Sequence, residues 1–370
     1  MTKRVLLAGG GHAHLGVLAA FERARPNECE VTLLSPFPRQ VYSGMLPGWV
    51  AGHYKLDECV IPLPTLADRA GARFCLGHVA RIDLDARIAF TESADEIAFD
   101  LISIDTGPVI DTVAIAGLAD HAIALRPFES LIGQWERLLA HLADCTDVHT
   151  LTVIGGGAGG VELALAAAFR AASARLPLRV QIVTGRTGVV STLPASAKKR
   201  LERLLHASDI RLIVDDAVEI GRHTVLLADG GELTSDATIV ATGAAAAEWP
   251  RASGLACDDA GFIAVNECLQ SISHPFVFAA GDCATMLAHP RPRSGVYAVR
   301  AGPPLARNLR RALAGRDLAQ YTPQQRALYL LSAGARYAIA TWGSLCTEGA
   351  WVWCWKNRID RRFVANMSAR

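Results

Sequence analysis

The sequence predicts an α/β protein built twice on one strand–glycine loop–helix plan, with a small module at its C-terminal end. Three observations predict it. RVLLAGGGHAHLGVLAAFERA (4–24) and LTVIGGGAGGVELALAAAFRAA (151–172) each run an apolar strand-like segment into glycines and then into an Ala/Leu-rich helix-like segment. FDLISIDTGP (99–108) and the segment ending ATG at 241–243 are buried-strand patterns closed by Thr-Gly turns. At 370 residues the chain is also too long for one simple core. Glycines without Cβ let a diphosphate approach the backbone, and the helix start directs unpaired N–H groups and a positive dipole end at it. The expectation is therefore two Rossmann-like dinucleotide-binding domains of the three-layer ββα kind. Residues 1–115 and 250–320 would form one, 116–249 the other and 321–370 the C-terminal module.

The elements follow in order. Residues 4–8 and 30–34 are expected as parallel strands around the first helix, and 79–90 as a hairpin by its alternation. A helix near 127–143 leads to the second unit: strand 151–154, helix 158–174, strand 179–183 and helix 195–207. Meander strands near 217–227 precede strand 238–241. FVFAAGDCA (276–284) is an apolar strand ending in Gly-Asp, and 294–315 is a helix with a Gly-Pro-Pro interruption. The last 45 residues, including Trp351, Trp353 and Trp355 at alternate positions, read as short aromatic strands.

Composition bounds the function. A net charge of +1 gives nucleic acid no electrostatic case as a partner. The chain opens directly on a strand, so no signal peptide is expected, and no apolar run reaches the roughly 18 residues of a spanning helix. Nine cysteines, an odd number, are scattered with no C-x-x-C pair, which fits a reduced, cytoplasmic protein. No metal site is expected.

The first loop carries Gly9, Gly11, His12 and Ala13, but His14 fills the third glycine position of G-x-G-x-x-G. A histidine there implies a wider helix–strand gap or a different geometry, and both His12 and His14 could donate to a phosphate or only pack the helix start. Ser35 stands where an acid would usually hold the ribose. Gly281-Asp282 offers a carboxylate for a sugar-like hydroxyl, and the helix near Val296 aims its positive end at an anionic ring, which suits a flavin. The second loop, Gly155, Gly157, Ala158, Gly159 and Gly160, matches the full pattern. Glu162 lies in the first turn after it, either to orient a nicotinamide or as a plain helix-start glutamate. Thr184 and Arg186, in place of an acid, point toward NADPH or toward no strong preference between the two nucleotides, with a solvated Arg186 as the other reading.

GGGHAHL, ATG (241–243) and AAGDCA (279–284) resemble the pyridine nucleotide–disulfide oxidoreductase superfamily, and within it type II NADH dehydrogenases and sulfide:quinone reductases. YSGMLPGWVAGHY (42–54), YAVRAGPPLARNL (297–309) and WVWCWKNRIDRRF (351–363) are similar to a bacterial subgroup found alone or fused ahead of selenide, water dikinase. The resemblance implies FAD on Gly9, Gly11, His12 and Ala13. Ser35 would face its ribose, Val79 the adenine, Thr106 and Gly107 the flavin side, Asp282 the ribityl chain, and Val296 and Tyr297 the pyrimidine edge. NADH or NADPH would take Gly155 through Gly160 with Glu162. The implied reaction is hydride transfer from NAD(P)H to flavin, then electrons to a small-molecule acceptor such as a quinone. A sulfide- or selenium-oxidising flavoprotein using Cys145, Cys346 and Cys354, and a non-catalytic FAD-binding sensor, are the alternatives. The tryptophans followed by Lys356, Arg358, Arg361 and Arg362 suit peripheral contact with the inner membrane face or a homodimer contact. The fused relatives imply a functional link to selenide, water dikinase.

Overall fold

The computed structural model describes residues 2–26, 28–111 and 114–368. The same plan appears twice. In the first unit five parallel strands lie in the order Val277–Ala279, Leu101–Ile104, Lys3–Ala8, Cys29–Ser35, Ala72–Leu76. In the second the order is Ile123–Ala124, Ala237–Val240, His149–Ile154, Leu178–Val183, Arg211–Ile213, again parallel. Each central strand feeds a glycine loop and a helix, His12–Arg23 in one and Ala158–Ala174 in the other. An antiparallel three-stranded meander precedes the strand that ends in Thr-Gly in both: residues 79–98 in the first unit and 217–234 in the second. Sheet, helix and meander form the expected ββα layers. The two Thr-Gly turns lead into Val109–Ile110 and Ala244–Ala245, which pair antiparallel, so both crossings between the units are tied together.

The central strands read as continuous apolar runs because helices and meander cover both faces of each sheet. Leu6, Leu7, Leu33, Leu34 and Ile104 are buried in one core, and Leu151, Val153, Ile182 and Ile239 in the other. The expected interruption in the helix after Gly-Asp is absent: Gly295–Leu313 runs through Pro303 and Pro304. Each proline forgoes a backbone bond at a cost of about 3 kcal/mol. Burial of Ala301, Leu305, Ala306 and Leu309 offsets it, and Gly302 packs against Gly16 of the first helix with no room for a Cβ between them.

The C-terminal tryptophans are helical, not extended. Three antiparallel strands, Leu328–Ser332, Ala338–Trp342 and Leu345–Gly349, are followed by the helix Ala350–Ser368. Alternation over five residues does not separate the two periods. Residues i and i+4 share a helix face, so Trp351 and Trp355 stack at 6.4 Å and 9° in the open, while Trp353 points inward and is buried. The longer pattern decides it, since Val352, Lys356, Asp360 and Val364 are all buried at four-residue steps. Val352, Trp353 and Val364 join the first core, and Leu331, Ala333 and Ile339 the second.

Candidate nucleotide and electron-transfer site

Both glycine loops have the same backbone. Gly9 (φ +100°) and Gly155 (φ +133°) sit in conformations L-residues avoid, and Gly11 and Gly157 cap their helices in matching extended geometry. A Cβ on Gly9 would lie 2.3 Å from the Asp105 carbonyl oxygen, and one on Gly155 would lie 2.3 Å from that of Ala241. The loops differ at the third glycine. A Cβ at Gly160 would stand 2.0 Å from the Gly155 carbonyl oxygen, so only glycine fits there.

His14 in the first unit is fully buried beneath its loop. Its Nδ1 lies 2.6 Å from the Gly9 carbonyl oxygen and its Nε2 2.8 Å from Ser103 Oγ. A carbonyl only accepts, so Nδ1 carries the hydrogen and Nε2 accepts from the serine hydroxyl. Burial pushes this imidazole down to about 4, so it is neutral. With both nitrogens engaged inside the protein, His14 props the loop and does not reach a phosphate. His12 is the open one. Its Nε2 is buried without a partner among the described residues, and its ring lies beside Tyr42 and Phe363 at centroid distances of 5.7 and 6.3 Å.

Asp105, which the sequence reading passed over, is the hub of the first loop. Its Oδ2 accepts from the N–H of Ala13 at 2.8 Å and of His14 at 2.9 Å, and its carbonyl accepts from Gly11 N–H at 3.1 Å. A Cβ on Gly11 or on Gly281 would strike its carboxyl at 2.4 or 2.2 Å. Burial pushes this carboxyl up to about 7 against those two hydrogen bonds, and the neighbouring Asp282 adds to the rise. The signal lay in the Ile-Asp-Thr-Gly ending itself, a buried charge where the second unit has Ala241.

The other expected residues gather around this hub. Ser35 ends its strand buried, its Oγ facing Gly10. Val79 is buried at the start of the meander. Thr106 is exposed on the turn, and Gly107 (φ +74°) faces open space. Asp282 follows the positive-φ Gly281. Arg126, from the second unit, reaches to 3.7 Å from its carboxylate. Val296 and Tyr297 form the first turn of the helix Gly295–Leu313. A cavity of about 70 Å³ there is lined by Asp282, Arg293, Tyr297 and Ala298. In the second unit Gly157 and Gly243 face open space, and Ala158 and Gly159 start the helix. Arg186 is not a free cation: it lies 3.6 Å from Asp215 and 3.5 Å from Asp216, acids supplied by the segment after the next strand.

Glu162 is the fifth residue of the helix Ala158–Ala174, past the first turn where it was expected, and it accepts from Ser332 N–H at 2.7 Å. Burial pushes its carboxyl up to about 7, with Lys356 pulling the other way. Lys356 donates from Nζ to Asp360 and to the Gly44 carbonyl, each at 2.5 Å, and Tyr42 Oη donates to Asp360 at 3.2 Å. Tyr42 stacks on Phe363 at 4.7 Å. Lys356 acts on Glu162 through its charge, and the same lysine, with Asp360, ties the C-terminal helix to Gly44 and Tyr42 of the first unit, where Tyr42 lies beside the His12 ring. Of the expected basic cluster, Lys356 is buried in this contact and Arg361 pairs with Glu58 at 2.7 Å, which leaves Arg358 and Arg362 exposed.

Backbone that faces unfilled space at Gly107, Gly157 and Gly243, with an orphaned imidazole nitrogen beside the first loop, fits two bound dinucleotides. Two ββα units joined by paired crossings define the class of two-dinucleotide oxidoreductase folds. The chain belongs to the pyridine nucleotide-disulphide oxidoreductase family, whose model matches residues 3–302. It is 24% identical over 353 residues to a type II NADH:quinone oxidoreductase of Staphylococcus aureus, covering 86% of this chain and 85% of that one. It is 23% identical over 318 residues to the internal alternative NAD(P)H-ubiquinone oxidoreductase A1 of Arabidopsis thaliana, covering 77% of this chain and only 61% of that one. Among solved structures, the sulfide:quinone oxidoreductase of Aquifex aeolicus superposes with a TM-score of 0.81 at 18% identity, covering 99% and 91% of the two chains. NDH2 of Plasmodium falciparum in complex with NADH does so at 0.82 and 13% identity, covering 98% and 97%.

Proposed function

We propose that this chain is an FAD-dependent NAD(P)H oxidoreductase of the type II NADH dehydrogenase kind, with a quinone as electron acceptor. The observation that carries the reading is the pair of matching glycine loops, one in each parallel-sheet unit, with open space beside the backbone at Gly107, Gly157 and Gly243. FAD, held by the first loop, would accept a hydride from the nicotinamide and release electrons to the acceptor. The chain's own groups position and protonate. Gly9, Gly11, His12 and Ala13 would receive the FAD diphosphate, with Ser35 at the ribose and the Val79 backbone at the adenine. Asp282, steadied by Arg126, suits the ribityl hydroxyls, and the helix start at Val296 and Tyr297 suits a ring edge that gains negative charge. Gly155 through Gly160 would receive the NAD(P)H diphosphate.

Glu162 has the chemistry for a proton relay. A carboxyl pushed up to about 7 holds or releases a proton near neutral pH, and the Lys356–Asp360 pair acts on it through charge. The quinone assignment is supported by the name of the staphylococcal relative and by this relay, since quinone reduction consumes protons. All nine cysteines are free, and Cys145 lies at the amino end of the central strand of the second sheet, away from both loops.

No helix is long and apolar enough to cross a membrane among the described residues. Trp351, Trp355 and Ile359 are nonetheless exposed at four-residue steps on the C-terminal helix, with Arg358 and Arg362 exposed on the same helix, and Trp342 and Leu345 are exposed on the hairpin before it. Such a face suits peripheral attachment to an anionic bilayer, where a quinone would be met.

The test is anaerobic addition of NADH, then NADPH, to the FAD-loaded protein. Bleaching of the visible flavin absorption, restored by a water-soluble quinone, is the expected result. A flavin left oxidised by both nucleotides overturns the reading.

A further inference from the structure

We propose a metal-binding site formed by His141, Cys145 and His149, outside the nucleotide site, for a late transition-metal ion such as Zn²⁺. The three donors come from two rigid elements. His141 lies in the last turn of the helix Phe128–Ala143, Cys145 follows one turn later, and His149 opens the strand His149–Ile154. Leu142, fully buried, anchors the helix end between the first two donors, and His149 N–H is held by the Pro177 carbonyl at 2.8 Å. One ligand atom from each residue lies within 4.8 Å of the other two.

The geometry is close to what a tetrahedral ion needs. With metal–sulfur and metal–nitrogen bonds of about 2.3 and 2.05 Å, tetrahedral coordination separates sulfur from nitrogen by roughly 3.6 Å. Cys145 Sγ and His141 Nε2 stand 3.5 Å apart. A thiol–imidazole pair alone would account for that distance. The third donor distinguishes the site: the His149 ring meets the His141 ring edge-on at 5.2 Å and 77°. His141 is exposed and Cys145 and His149 are half-buried, so the three donors are open to an ion from solvent. Two imidazoles and a thiolate select borderline to soft ions over Mg²⁺ or Ca²⁺, and three protein donors leave a fourth position for water. The exposed Asp144 and Asp147 beside the site add negative charge that favours a cation.

The location sets the role. In parallel sheets nucleotides bind at the carboxyl ends of strands. This cluster lies at the amino end of the strand whose other end enters Gly155. An ion here would clamp the 144–148 loop to the sheet and take no part in electron transfer.

The test uses the full chain, FAD-loaded, reduced and stripped with a chelator. Zn²⁺ is titrated in competition with a chromophoric chelator, and Co²⁺ substitution reads the ligand set. Expected are one equivalent of Zn²⁺, tetrahedral Co²⁺ bands with a thiolate charge-transfer feature, and a Zn²⁺-dependent rise in melting temperature. Cys145→Ser and His149→Ala should each weaken Zn²⁺ binding at least about tenfold and lose that rise. Cys354→Ser, at an exposed cysteine on the C-terminal helix, should change nothing. Both site variants should melt like the wild type without metal, which separates lost ligation from misfolding. Equal Zn²⁺ affinity in the wild type and Cys145→Ser, or no stoichiometric binding by the wild type, overturns the proposal.

Discussion

Asp105 in the first unit occupies the place of Ala241 in the second: each presents its carbonyl oxygen where a Cβ on the loop's first glycine would lie, 2.3 Å away in both cases. The alanine leaves the second helix start free to meet a diphosphate. The aspartate gives the first helix start a carboxyl acceptor of its own, through Ala13 and His14 N–H. Replacing Asp105 by Ala would strand two buried donors and cost about 1–3 kcal/mol. Asp105→Asn keeps an acceptor and removes the charge that a bound diphosphate would repel. Denaturant unfolding of the FAD-free chain should rank Asp105→Ala well below wild type, and flavin titration should find Asp105→Asn binding FAD at least as tightly as wild type. An Asp105→Ala chain as stable as wild type would show that these hydrogen bonds carry no weight.

His14 invites a substitution toward the glycine of the standard pattern. The structure predicts harm. His14→Gly would orphan the Gly9 carbonyl and the Ser103 hydroxyl and open a cavity under the loop, and it would place glycine inside a helix. A loss of about 3–5 kcal/mol in urea unfolding is expected from truncating a fully buried ring and two hydrogen bonds. A neutral or stabilising effect would mean that the imidazole is not the prop described above.

Much of this was legible in the residues. Helices 158–174 and 195–207 fall where the Ala/Leu and charge patterns place them, and both glycine loops lie where strand, glycine and helix signals coincide. Those signals are local, set by period and by glycine. Asp105, Arg126 and the Lys356–Asp360 pair were not legible, because their meaning depends on partners far along the chain. Lys356 reads as one more basic residue after the tryptophans until the helix turns it inward onto Gly44, and Asp360 is masked by the arginines around it. The tryptophan alternation misled for a different reason: five residues are too few to separate a period of 2 from one of 3.6.

Arg186 tests the nucleotide preference. Asp215 and Asp216 flank it, and Asp216 Oδ1 also faces Gly185, at the strand end where a ribose diol would sit. NADH should therefore serve at least as well as NADPH. Asp216→Asn, at an exposed position, should weaken the hold on Arg186 and shift the KM ratio toward NADPH by roughly fivefold, about 1 kcal/mol. Steady-state kinetics with both nucleotides reads it directly, and an unmoved ratio would place Arg186 outside the 2′-phosphate environment.

Trp351 and Trp355 stack on the outer face of the C-terminal helix, next to Ile359. Replacing both tryptophans by Ser should leave stability within about 0.5 kcal/mol, as at other surface sites. It should also lower sedimentation with anionic phospholipid vesicles at least about tenfold. Unchanged vesicle binding would remove this face as the attachment surface.

Glu162 makes the sharpest pH prediction. Its carboxyl moves from an ordinary value of 4.5 to about 7 in the folded chain, chiefly through burial. Between those values the folded chain keeps a proton that the unfolded chain has released. Glu162 therefore costs stability progressively as pH rises from about 4.5 to 7, and the full cost persists above 7. His12 and His14, held neutral down to about 4 against an ordinary 6.5, act with the opposite sign over much of the same range. The wild-type profile mixes both, so only the difference between wild type and Glu162→Gln isolates the carboxyl. Glutamine resembles the protonated acid. The variant should match wild type near pH 4, gain on it steadily toward pH 7, and hold that gain at pH 8, as read by urea unfolding of FAD-free protein. In stopped flow it should keep the NADH-dependent bleaching of the flavin and slow reoxidation by quinone at least about 100-fold, the low end for loss of a positioned proton donor. A stability difference that is flat in pH would mean that Glu162 titrates as an ordinary surface acid, and the relay argued for the site would go with it.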